Sequence, residues 1–155
     1  MATPVGHTLI GLAVARRLGV RSPLGMAAAA VGASLPDADV IAGMALHGDP
    51  WRLHRKATHT PGFALSAGML AGFAGLVSAG NAEGERDLIV DAFTGAAIVG
   101  SHLVLDRFKI PPYRYTKPGG PSRLRNEAIN WTLDLLVYGP IAWLLWPRGE
   151  TSGHS

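Results

Sequence analysis

Residues 54–60 read His-Arg-Lys-Ala-Thr-His-Thr, two imidazoles and a guanidinium directly ahead of an uncharged run that opens at Pro61. Imidazole is the commonest metal ligand near neutral pH, because its lone pair competes with the proton there. One such pair fixes little, and a metal centre needs a constellation. His102 and Asp106 supply a second pair, four positions apart and therefore on one face of a helix. Asp37 and Asp39 follow Pro36, and His7 falls just after the helix start signal Thr3-Pro4. A carboxylate in such apolar surroundings costs several kcal/mol unless it is paired or coordinated. A cation best explains Asp37 and Asp106.

The elements that must carry these residues are helices. Thr3-Pro4, Ser22-Pro23 and Thr60-Pro61 each pair a capping hydroxyl with a proline at the first helical position. Helix one is expected to run to about Leu18, and an Ala-rich helix two from Leu24 to about Leu35, where Pro36 breaks or kinks it. Residues 40–47 either continue helix two or form a short interfacial piece. Helix three is expected over 61–80, helix four over 88–106, and helix five over 127–146 with a kink at Gly139-Pro140. Helices three to five approach the roughly 20 residues that cross a bilayer, whereas helices one and two are short for it. Helix two could still span by continuing through Pro36 to about His47.

If successive helices run antiparallel, His7, Asp37, Asp39, His54, His59, His102 and Asp106 all arrive at one end of the bundle. His plus carboxylate without thiolate suits Zn, Mn or Fe, and so rich a set of donors could hold one or two ions. Two-metal sites typically hydrolyse phosphoesters or amides, and Arg55 stands where it could neutralise a phosphate oxygen. Asp39 is expected to be a ligand or a general base. Asp134, about 9 Å along helix five by helical rise, could support the site from behind.

Composition sets the environment. The 155 residues are one domain's worth, 48% hydrophobic and only 16% charged, with the apolar residues gathered in runs. This balance points to a membrane protein of about four to five helices, all-α and multi-pass, with the domain over 1–147. A basic loop is expected at 107–125 and a disordered tail at 148–155. There is no Cys, so disulfides and thiolate metal sites are excluded. The net charge of +3 accompanies no base-reading motif, so membrane lipids and not nucleic acid are the expected partners. No basic n-region precedes the first apolar segment, so no cleaved signal is expected.

Four segments in order, His7, Leu35-Pro-Asp-Ala-Asp39, His54-Arg-Lys-Ala-Thr-His59 and His102-Leu-Val-Leu-Asp106, resemble the YdjM-like family. The resemblance covers about residues 5–110. That family is described as inner-membrane metal-dependent hydrolases, and also as LexA-binding. It implies an all-α membrane protein distantly similar to zinc-dependent phospholipase C, and hence hydrolysis of a lipid-like phosphoester. On this reading His7, Asp37, His54, His59, His102 and Asp106 are metal ligands, with Asp39 and Arg55 in catalysis.

Nine Lys and Arg fall on the site side and five on the other, which places the site in the cytoplasm under the positive-inside rule. Two other classes of function fit the same residues. One is a metal-binding or metal-transporting membrane protein without catalysis; the other is an adaptor whose cytoplasmic face binds a regulatory protein.

Overall fold

The computed structural model of the protein describes residues 3–78, 88–108 and 123–147. Six α-helices and one 3-10 turn make up this part, and there is no strand among the described residues. They are α1 (Pro4–Arg17), α2 (Pro23–Ser34), the turn Leu35–Asp37, α3 (Ala38–His47), α4 (Pro61–Ser78), α5 (Leu88–Leu105) and α6 (Arg123–Leu145). Because α2, the turn and α3 follow one another without a break over Pro23–His47, the chain counts five helical rods.

The three proline starts form as expected. The Thr3 hydroxyl accepts from Val5 N, Ser22 from Gly25 N, and Thr60 from Phe63 N. Each therefore meets one of the donors that a helix start leaves unpaired. Pro36 tightens the backbone into a 3-10 turn and does not end the rod, so α3 grows straight out of it. At its far end α3 closes on Gly48, whose φ of +66° is the left-handed conformation that glycine adopts without a Cβ penalty. Helix six differs from expectation. It begins at Arg123, not Glu127, so the end of the expected basic loop is its first turn. Residues 109–122 of that loop, and the tail 148–155, lie outside the described residues.

Helix α1 is the hub. Its 14 residues span about 21 Å, too short to cross a bilayer core alone. It is instead enclosed by its neighbours. Ile10 and Ala13 meet Leu105, Tyr138 and Ala142, while Ala15 meets Ala29, Ala33 and Ile98. Helix α4 packs on α5, where Gly68 lies so near Ala92 and Ala96 that no Cβ would fit. Asp134 bonds the start of α1, and the Arg16 guanidinium sits 5.8 Å from the Trp146 ring at its other end. Helices α1 and α6 are thus parallel, with the first turns of α6 projecting about 16 Å beyond the start of α1.

Large apolar side chains point outward. Leu24, Ile41, Leu70, Phe93, Leu136 and Trp143 are all at least 65% exposed, the reverse of a water-soluble bundle. Two helices, Pro23–His47 and Leu124–Leu145, are long and apolar enough to cross a membrane. Helices α4 and α5 are apolar but shorter.

Candidate metal centre

Five separate pieces of chain deliver their polar groups to one place. Helix α1 brings His7, the 3-10 turn brings Asp37, α3 brings Asp39, the loop before α4 brings His54 and His59, and α5 ends in His102 and Asp106. The i, i+4 spacing holds, since Asp106 N donates to His102 O at 2.9 Å and both side chains leave the same face. His7 and His102 stack face to face with ring centroids 3.6 Å apart and 14° between their planes. His59 meets His102 edge-on at 5.2 Å, and His54 meets His59 edge-on at 4.9 Å.

Asp39 organises the loop. Its Oδ2 accepts from Arg55 N at 3.0 Å and from the Thr58 hydroxyl at 2.6 Å, and its Oδ1 faces His54 Nδ1 at 3.0 Å. The pull on Arg55 N coincides with a φ of +61°, a left-handed conformation that costs a non-glycine residue about 1–2 kcal/mol. A carboxylate only accepts when ionised, so the His54 proton belongs on Nδ1 and Nε2 keeps its lone pair. His102 follows the same logic with a different partner: Nδ1 donates to Ala33 O at 2.8 Å. Its Nε2 is likewise left as an acceptor. Such anchoring through one ring nitrogen is how metal-binding histidines are oriented.

The inward nitrogens have no partners. Nε2 of His7, His54, His59 and His102 are all buried without a hydrogen bond, as is Asp106 Oδ1. Those of His7, His59 and His102 nevertheless crowd against carboxylate oxygens. His7 Nε2 is 3.5 Å from Asp106 Oδ1, His59 Nε2 is 3.5 Å from Asp106 Oδ2 and 3.7 Å from Asp37 Oδ1, and His102 Nε2 is 3.5 Å from Asp37 Oδ1. Two donors bound at about 2.1 Å to one tetrahedral ion lie about 3.4 Å apart. The donor set therefore fits a divalent cation in type, spacing and lack of other partners.

Charge supports this. Burial pushes the Asp106 carboxyl up, but the His7 imidazole and the Arg55 guanidinium outweigh it and hold the group well below the ordinary 3.8. Arg55 reaches it through Nη2 at 2.9 Å while its side chain stays 41% exposed. His59 is pushed below the ordinary 6.5 by burial and by the nearby His102, which favours the neutral, ligating form.

All eight residues singled out from the sequence lie in this cluster. Three groups within it each bring their donor atoms within 4.8 Å of one another: His7 with His102 and Asp106, Asp37 with His59 and His102, and Asp39 with His54 and His59. His47 ends α3 on an exposed surface away from it. Three contributors went unnoticed in the sequence. The Thr58 hydroxyl and the Ala33 carbonyl anchor the site from behind, and Gly6 lets α6 approach where a Cβ would stand 2.6 Å from Tyr138. A backbone carbonyl leaves no mark on residue type, so Ala33 could not have been read.

Fold and site together define a helical membrane-protein class with a His/Asp centre at one end of the bundle. The sequence matches the profile of the YdjM inner membrane protein family over residues 1–152, and the chain belongs to that family. No curated protein and no solved structure matches it.

Proposed function

We propose that this protein is a multi-pass inner-membrane hydrolase that uses a divalent metal to cleave phosphoesters of lipid-like substrates at the cytoplasmic face. The observation that carries this reading is the set of unpartnered Nε2 atoms facing carboxylate oxygens at 3.5–3.7 Å. His7, Asp37, His59, His102 and Asp106 would hold the ion, and His54 would extend the set toward a second. Zn suits the donors best, with Mn or Fe as substitutes. Bound there, such an ion supplies Lewis acidity and makes water a stronger acid.

The chain's own residues do the rest. Asp39 holds His54 and the loop backbone, so its part is orientation more than ligation. Arg55, half-exposed at the rim, can turn its free donors to an entering phosphate and keep the fork geometry that suits its oxygens. The outward apolar surfaces keep the site within reach of amphiphilic substrates. The excess of Lys and Arg on the site side supports the cytoplasmic orientation.

The test is turnover by detergent-purified protein, stripped with a chelator and reloaded with Zn, Mn or Fe, on phosphodiester and phospholipid substrates. Hydrolysis that requires the metal is expected. A fully loaded protein that turns over none of them would remove the enzymatic reading.

A further inference from the structure

One buried acid stands outside the cluster. Asp134 on α6 is 0% exposed, and its Oδ2 accepts three hydrogen bonds from the other end of the chain. Thr3 N donates at 2.6 Å, the Thr3 hydroxyl at 2.5 Å and Gly6 N at 3.0 Å. These donors belong to the first turn of α1, where a helix offers unpaired N–H groups and the positive end of its dipole. Thr3 is the expected cap of α1, yet its hydroxyl makes only one 3.3 Å bond there, to Val5 N. The stronger cap comes from another helix.

The next residue after Gly6 is His7, whose ring stacks on His102. His7 itself has no hydrogen bond to hold its ring, because both Nδ1 and Nε2 are unpartnered. His54 and His102 are each fixed through Nδ1; His7 has no such anchor, and its placement depends on where the backbone of α1 starts. Gly6 adds to the constraint. A Cβ there would stand 2.7 Å from Asp134 Oδ2 and 2.6 Å from the Tyr138 ring, so α1 and α6 meet in direct contact at this level.

We propose that Asp134 is a positioning residue of the metal centre: by capping α1 from α6, it sets the height and rotation at which His7 meets the ion. This rests on the metal-centre reading above and extends it to a helix that contributes no ligand. It also gives α6 a task in the site besides crossing the membrane.

The experiment titrates the detergent-purified, metal-free protein with Co²⁺ alone and follows its visible absorption, which reports ligand number and geometry. Asp134→Ala should weaken Co²⁺ binding by about 10- to 100-fold, the usual effect of removing a support behind a ligand, and shift the spectrum. Asp134→Asn keeps an acceptor oxygen for α1 and should lose less. Ile10→Ala, in the apolar core one turn below His7, should lower the melting temperature while leaving affinity and spectrum in place. An unchanged affinity and spectrum in Asp134→Ala would overturn the assignment, as would an equal change in Ile10→Ala. If the unsubstituted protein binds no Co²⁺, the metal-centre reading fails and takes this assignment with it.

Discussion

Nε2 of His102 stands 3.5 Å from Oδ1 of Asp37, while Nδ1 of the same ring donates to the Ala33 carbonyl at 2.8 Å. With the Nδ1 proton committed to Ala33, a neutral ring would turn its lone pair toward a carboxylate that also only accepts. Two acceptors would then oppose each other where His102 is fully buried. A cation between them, metal or proton, resolves the opposition.

An amide in place of the carboxylate would resolve it differently. At alkaline pH, where the His102 ring is neutral, Asp37→Asn can donate an N–H to its Nε2, so the metal-free protein should gain about 1 kcal/mol there and melt a few degrees higher. Metal binding should weaken in the same variant. Thermal melts in detergent, with chelator and with zinc, read both effects, and a metal-free protein less stable than the parent would contradict this account.

Acid should loosen the metal-free protein in two windows. His59 has a folded pKa below its ordinary 6.5, so the unfolded chain takes up the proton more readily. The stability this group contributes is complete above 6.5 and lost as pH falls through the folded value. Asp106, held below 3.8, acts the same way in a lower window: its share is present above 3.8 and lost under it. Melting temperatures recorded from pH 7.5 down to 5 should therefore fall more steeply, or rise less, in the parent protein than in His59→Gln.

Arg55 separates binding from chemistry. Its guanidinium reaches Asp106 Oδ2 from the half-exposed rim and supplies no donor to a cation, so Arg55→Ala should still bind metal. Turnover should fall about 100-fold, in the range seen when one charge-stabilising donor is lost. Metal content and kcat measured on the same preparation distinguish this from loss of the site.

The Asp39 hub makes a stability prediction. Thr58→Val keeps the shape but removes the 2.6 Å hydroxyl bond, leaving a buried carboxylate short of one donor. The expected cost is about 1–3 kcal/mol, read from chemical or thermal unfolding, with weaker metal binding because His54 and His59 lose a fixed support. An unaffected variant would mean that Arg55 N and His54 suffice to hold the loop.

Much of this arrangement was legible in the sequence because the signals were local. Three hydroxyl-proline pairs mark three helix starts, and hairpin logic then carries seven His and Asp residues to one end. The i, i+4 pair His102 and Asp106 needed only helical periodicity. The beginning of α6 was hidden because the Pro/Gly-rich basic stretch ahead of it continues in Arg123 and Arg125, which carry the same charge as the loop. The role of Asp39 as anchor was hidden because carboxylates that bind metal and carboxylates that orient histidines share one residue type. The place of α1 at the centre of the bundle was hidden for another reason. Its length marks it only as short for a span, and packing against Ala33, Leu105 and Tyr138 shows that neighbours cover it.

The most direct measurement is elemental analysis of the purified protein after chelation and dialysis against zinc, with His59→Ala and Asp106→Ala alongside. The account predicts about one or two transition-metal ions bound per chain in the parent protein and a clear loss in both variants. A parent protein that holds none, or variants that hold as much as the parent, would contradict it.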